Sequence, residues 1–168
     1  MENNKKEVVV VGSSEGQCVS IQGGTYRIVL SGAQTGGTFA TIDMLVPPGG
    51  GPGPHAHSEM QETFLVTEGE VEFTSESGSS VAVAGSYIFV PKGGAVHGFK
   101  NKSDKPARLL CTVVPAGLEE FFLEIGEPVA YDQLLPARPM DPERMEKLTA
   151  IGARFGQSFY PPDYLDKV

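Results

Sequence analysis

Apolar residues in this chain come in short stretches, separated by glycine and proline rather than spread along helical faces. That pattern predicts strands at Thr25–Leu30, Thr38–Val46, Glu62–Val66, Glu70–Thr74, Ser79–Val83, Ser86–Val90, Val96–Lys100 and Arg108–Val114. Turn signals fall between them, at Pro47 to Gly51, Glu68-Gly69, Ser77-Gly78 and Pro91 to Gly94. Many short strands at this spacing predict an all-β architecture, an antiparallel barrel or a two-sheet jelly roll. Closing the sheet leaves fewer strand edges unpaired.

The pattern changes after Pro115. Leu118 to Ile125 predicts a short helix with Leu118, Phe121, Phe122 and Ile125 on one side, stopped by Gly126 and Pro128. A second helix is expected from Asp141, a good N-cap followed by Pro142 in the first turn. Met145, Leu148 and Ile151 give it one apolar stripe, and Gly156 closes it. The stripe either packs on the outside of the barrel or forms a lid over its mouth. The tail around Phe159, Tyr160, Pro161, Pro162 and Tyr164 reads as extended. No repeat is visible, so residues 1–168 are read as a single domain. Its barrel core spans about 25–115 and its C-terminal helical extension about 117–168.

Composition narrows the partners. The 168 residues carry 13 Lys+Arg against 21 Asp+Glu, a formal charge of -8, which argues against a nucleic-acid partner. No apolar run is long enough to span a bilayer. Met1 to Lys6 is polar, and Val8 to Val11 is too short for the apolar region of a signal peptide. Cys18 and Cys111 form no CxxC pair and read as small buried hydrophobes of a cytoplasmic protein.

The candidate chemistry rests on three histidines, His55, His57 and His97. Residues two apart on a strand share a face, so an extended His55-Ala56-His57 aims both imidazoles the same way. Glu62 begins the next strand, but the turn between resets the parity and leaves its direction open. His97 follows a Gly-Gly bend on a later strand. Imidazole and carboxylate together suit Mn, Fe, Co, Ni, Cu or Zn. Three histidines and one carboxylate would leave up to two octahedral positions for water, dioxygen or substrate.

These residues resemble the two motifs of the cupin superfamily. The first reads here as Gly49-x5-His55-x-His57-x4-Glu62-x6-Gly69, and the second as Gly85-x5-Pro91, then His97-x3-Asn101. The stretch from Pro91 to His97 is one residue longer than the commonest spacing. The resemblance implies a cupin-type double-stranded β-helix, a jelly-roll barrel with its metal inside. It also implies ligand roles for His55, His57, Glu62 and His97, with a divalent transition metal as cofactor. Such proteins often dimerise, sometimes by exchanging N-terminal strands, for which Val8 to Val11 is the candidate. Glu62 to Val66, the helix after Pro115 and the tail at Tyr160 to Pro162 look similar to single-domain cupins related to quercetin 2,3-dioxygenase.

The function this resemblance implies is a metal-dependent dioxygenase acting on a flavonol-like or other phenolic small molecule, with Glu62 as ligand and general base. If Glu62 points inward, Phe64 and Val66 share its face, and Phe99 shares that of His97. With Ile42 and Met44 from the strand before, Phe64 and Phe99 are the expected substrate contacts of an apolar cup. The expected partners are a small aromatic or apolar substrate, dioxygen and a second copy of the chain in a homodimer, with neither nucleic acid nor membrane. The alternatives are a cupin isomerase or epimerase of a polar or sugar-type substrate, using Lys92, Lys100 or Lys102, and a non-catalytic binding cup.

Overall fold

The computed structural model describes residues 7–167. The polar stretch 1–6 lies outside them. Twelve strands and three helices follow in order: β1 (Cys18–Ile21), β2 (Gly24–Leu30), α1 (Gly32–Thr35), β3 (Ala40–Val46), β4 (His55–His57), β5 (Gln61–Glu68), β6 (Glu70–Ser75), β7 (Gly78–Val83), β8 (Tyr87–Val90), β9 (His97–Lys100), β10 (Ala107–Val114), α2 (Leu118–Ile125), β11 (Glu127–Pro128), α3 (Pro142–Arg154) and β12 (Gln157–Phe159). A 3-10 turn over Tyr164–Lys167 ends the described chain. The strands form two antiparallel sheets. One runs β11-β1-β2-β3-β10-β5-β8 and the other β12-β4-β9-β6-β7.

The wall of the jelly roll is built by alternation. Ala40, Ile42, Met44 and Val46 of β3, Leu109, Cys111 and Val113 of β10, and Phe64 and Val66 of β5 all turn inward and are buried. Cys111 is paired with Ile42 on one side and Phe64 on the other, so the register puts apolar side chains in rows across the sheet. Each buried large side chain contributes roughly 1.5–3 kcal/mol. The opposite sheet meets this wall through aromatic rings. Phe64 faces Phe73 and Phe99 at ring-centroid distances of 5.2 and 5.8 Å.

The chain after β10 returns to the barrel. Glu119, buried in the first turn of α2, accepts from the backbone N–H of Gly117 at 2.7 Å and of Gly32 at 2.6 Å. It thereby ties α2 to the start of α1. The connection from α2 to α3 is clasped to the outer face of the first sheet. Val129 N–H donates to the Cys18 carbonyl at 3.2 Å, and the Thr25 hydroxyl donates to the Gln133 carbonyl. Beneath this segment Asp43 accepts from both Arg27 and Arg108, Arg108 also pairs with Asp132, and the Tyr131 ring lies over both guanidiniums. Asp141 caps α3 by accepting from Arg144 N–H at 2.8 Å, with Pro142 in the first turn.

Val8 to Val11 lies outside the strands of the single chain, and Val8, Val9 and Val10 are exposed. Two expectations need correction. The barrel starts before residue 25, since β1 pairs with β2 as a hairpin. The C-terminal extension is not purely helical. β11 joins β1, and β12 joins β4. Strands of two and three residues are too short for alternation to show. The boundaries also move slightly: β3 starts at Ala40, β8 at Tyr87 and β9 at His97. Helix α3 uses Leu148 and Ile151 for packing, while Met145 stays exposed.

Candidate metal centre

Four side chains from three strands meet inside the barrel. β4 supplies His55 and His57, β5 supplies Glu62, and β9 supplies His97. One potential ligand atom from each lies within 4.8 Å of all the others. His57, Glu62 and His97 are only 2%, 2% and 3% exposed. The direction of Glu62, open in the sequence, is inward.

Local backbone geometry explains why they converge. The segment between β3 and β4 must cross β9 at backbone distance. Gly51 has φ +127°, and a Cβ there would sit 2.1 Å from the Phe99 carbonyl oxygen. Gly98 faces it, and its Cβ would lie 2.9 Å from the Pro52 carbonyl oxygen. The fully buried Asn101 locks the crossing. Its side-chain amide donates to the carbonyls of Val46 and Lys105, and its backbone N–H donates to Gly50 at 2.9 Å. The longer stretch from Pro91 to His97 is taken up by a turn with Gly93 and Gly94 at positive φ, and His97 still reaches Glu62.

Backbone carbonyls set the tautomers. Nδ1 of His55 faces the Gly53 carbonyl at 3.0 Å, Nδ1 of His57 that of Met60 at 3.2 Å, and Nδ1 of His97 that of Ala95 at 2.8 Å. A carbonyl only accepts, so each Nδ1 carries the proton and each Nε2 is left to bind a cation. Nε2 of His57 and of His97 lie 2.8 and 3.2 Å from the same Glu62 oxygen, Oε2. Adjacent ligands on a metal with bonds of about 2.1 Å stand about 3.0 Å apart, so these two nitrogens and the oxygen have the spacing of ligands to a first-row divalent ion, and His55 completes a donor set of the right chemistry.

Electrostatics agrees with that donor set. Burial pushes the Glu62 carboxyl up, but hydrogen bonds from His57 and His97 outweigh it and hold the group well below the usual carboxylate range. Burial, with His97 beside it, pushes His55 down to about 4. Burial also pulls His57 down, yet the hydrogen bond and charge of Glu62 prevail and raise it. A buried carboxylate facing two imidazoles needs a positive charge between them, a proton or a metal ion.

The site opens into a cavity of about 1110 Å³. His55 and Glu62 line it. Of the expected substrate contacts, Met44, Phe64 and Phe99 line it as well. Ile42 does not: it is completely buried deeper in the core, between Ile28 and Cys111 in register. The sequence reading missed the rest of the lining. Tyr26 comes from β2, Phe121 and Phe122 from α2, Leu148 and Ile151 from α3, and Gln157 and Phe159 from β12. Burial, with Cys111 and Glu62 nearby, pushes the Tyr26 phenol up to about 12, so it stays a neutral donor. Helix α3 thus covers the cavity. Lys100, Lys102, Arg138, Arg144 and Lys147 also contribute to its lining, whereas Lys92 does not. Lys92 pairs with Glu59 in solvent.

Comparison with known proteins agrees with this architecture. Residues 42–113 match the cupin domain family. A sugar phosphate isomerase of the cupin superfamily from Silicibacter pomeroyi superposes with a TM-score of 0.54 at 25% identity, covering 62% of this chain and 73% of its own. A predicted oxalate decarboxylase from Thermotoga maritima gives 0.55 at 23% identity over 65% of this chain and 99% of its own. An RmlC-like cupin from Shewanella frigidimarina gives 0.55 at 19% identity over 69% and 96%. The last two speak to the fold alone. No curated protein sequence matches the chain. No helix among the described residues is long and apolar enough to cross a membrane. The family match, the two antiparallel sheets and the inward His and Glu side chains lead to one identification: residues 42–113 form a cupin domain.

Proposed function

We propose that this cupin is a metal-dependent enzyme in which His55, His57, Glu62 and His97 hold one divalent transition metal, and that it acts as a dioxygenase on a flavonol-like or other phenolic small molecule. The observation that carries the reading is the cluster itself, four ligand atoms within 4.8 Å of one another at the wall of a large, partly apolar cavity. The cavity exceeds the roughly 300–1,000 Å³ common for small-molecule sites, so a three-ring ligand fits. Phe64, Phe99, Phe121 and Phe159 give aromatic faces on several sides of it.

The bound ion supplies Lewis acidity and lowers the pKa of a phenolic hydroxyl brought to it. The chain's own groups do the rest. The Glu62 carboxylate faces the cavity and is the nearest acceptor for the hydroxyl proton. Backbone carbonyls of Met60 and Ala95 hold Nδ1 of His57 and His97 and so fix the direction in which both rings present Nε2 beside the Glu62 carboxylate. Helices α2 and α3 cover the reacting region and keep water out. A ring-opening dioxygenation places both atoms of dioxygen in the product and needs no external reductant.

The exposed Tyr87 and Phe89 on the edge strand β8, with Val81 and Val83 on β7, support a homodimer, which sedimentation at several concentrations tests. A second reading has a specific observation behind it. Lys100, Arg144 and Lys147 at the cavity suit an anionic, sugar-type substrate, as an isomerase would need. The test is direct. Protein reconstituted with each first-row metal is assayed for oxygen uptake with quercetin and simpler phenols, and for interconversion of sugar phosphates. Oxygen uptake confined to phenols supports the first reading. Isomerisation without oxygen uptake replaces it with the second.

A further inference from the structure

We propose that Gln157 anchors the bound small molecule: its side-chain amide donates a hydrogen bond to an oxygen of the ligand beside His57. The inference rests on the reading of this cavity as the metal and substrate site.

Gln157 is the first residue of β12, the short strand that adds itself to the barrel after α3. In the antiparallel pair it stands directly opposite His57, and Phe159 stands opposite His55. Directly opposed residues point to the same face, so Gln157 projects inward with the imidazole of His57. The strand is held at its far side by the Tyr160 N–H, which donates to the Pro54 carbonyl at 3.0 Å. Gly152 of α3 backs it. A Cβ at Gly152 would lie 2.5 Å from the Phe159 ring and 3.2 Å from the Gln157 Cβ, so the helix presses both side chains toward the cavity.

The side chain is 6% exposed and lines the cavity, yet its amide nitrogen has no hydrogen-bond partner among the described residues. Burying an amide without a partner is unfavourable, and an apolar residue of the same size would fill the position better. The other buried polar side chains nearby are satisfied: His57 by Met60 and Glu62, His97 by Ala95 and Glu62, and Asn101 by four groups. The last torsion of an amide side chain is broad and roughly two-fold, so a half-turn exchanges oxygen and N–H and presents the donor to an acceptor in the cavity. The ligand class is therefore one carrying an oxygen lone pair, as a phenolate, carbonyl or carboxylate does. That acceptor lies on the β12–β4 side of the site, in the sheet that faces Phe64 of β5.

The test uses the full chain loaded with zinc, with catechol as the probe and calorimetry and amide NMR as readouts. Wild type should bind catechol, and the Gln157 side-chain amide signals should shift on binding. Gln157→Leu should keep its zinc and melt at the same temperature or higher, because an unpaired polar group is gone, yet bind catechol about tenfold more weakly. Gln157→Glu should weaken it further, since its charge opposes a phenolate, and serves as the test should the Leu variant not fold. Equal catechol affinity in wild type and Gln157→Leu, unmoved amide signals, or a zinc-loaded wild type that ignores catechol would each overturn the proposal. A wild type that holds no zinc removes the metal-site reading itself, and this inference with it. Zinc held by wild type and variants alike, with catechol affinity unchanged between them, removes only the role of Gln157.

Discussion

His55 of β4 and His97 of β9 are Cα partners, and theirs is the one rung described between those two strands. It brings their rings to a centroid separation of 4.3 Å. Two cup-facing histidines thus owe their proximity to a crossing that tolerates no side chain at Gly51. Gly51→Ala should separate β4 from β9 and lower metal affinity at least tenfold, although no ligand is changed. Chelator competition on the folded variant measures this, and an unchanged affinity would show that the ligands are placed by something else.

The metal-free site has a defined pH response. His55 is pushed down to about 4, so between about pH 6.5 and 4 the unfolded chain binds a proton there that the folded chain does not. Stability is lost across that window as pH falls. Glu62, held low, adds stability present above its ordinary value and lost in stronger acid. His57, raised, contributes stability that is complete below about pH 6.5 and is lost as pH rises through its folded value. The melting temperature of chelator-treated protein should therefore peak near neutrality, and His55→Gln should flatten the acid limb between 6.5 and 4. Calorimetry across pH decides it, and an acid limb unaltered by His55→Gln contradicts the assignment.

Much of this fold can be read from the chain. The central strands alternate over enough residues to show which face is inward, and Asp141-Pro142 marks the start of α3 to the residue. The cluster of His55, His57, Glu62 and His97 was marked by resemblance to the two cupin motifs, since His-x-His alone left the direction of Glu62 open. What escaped was made by tertiary contact. Gln157 and Phe159 sit on a three-residue strand whose partner lies 100 positions earlier, at His57 and His55. Ile42 shares a face with Met44, but depth along the barrel, not face, decides which of the two reaches the cavity. Tyr26 enters the lining through its register opposite Met44, and the α3 residues through a long-range return of the chain that no local pattern encodes.

Glu119 is the buried carboxylate outside the ligand cluster with the clearest structural duty. Glu119→Ala leaves the N–H groups of Gly32 and Gly117 without an acceptor. At about 1–3 kcal/mol for each of the two orphaned groups, a loss of roughly 2–6 kcal/mol is expected, with metal stoichiometry unchanged. Urea denaturation of the metal-loaded protein gives the number. A loss below about 1 kcal/mol would mean that water replaces the carboxylate.

Gly152 is where α3 meets β12 most closely. Gly152→Val drives a branched side chain into the Phe159 ring, and overpacking of this kind costs about 1–3 kcal/mol. The displaced ring should also reduce quercetin binding, seen by fluorescence titration, while the metal remains. A variant as stable as wild type with full quercetin affinity would show that the helix is not pressed on the cavity.

The central claim is that four side chains share one cation. Elemental analysis of the purified wild type beside Glu62→Gln and His97→Ala addresses it most directly. One equivalent of a first-row divalent metal per chain is expected in wild type. Both variants should be depleted, since loss even of an outer-shell partner weakens binding about 10–100-fold and loss of a ligand weakens it more. Full metal content in the two variants, or a wild type that takes up no metal when it is offered, would contradict the account.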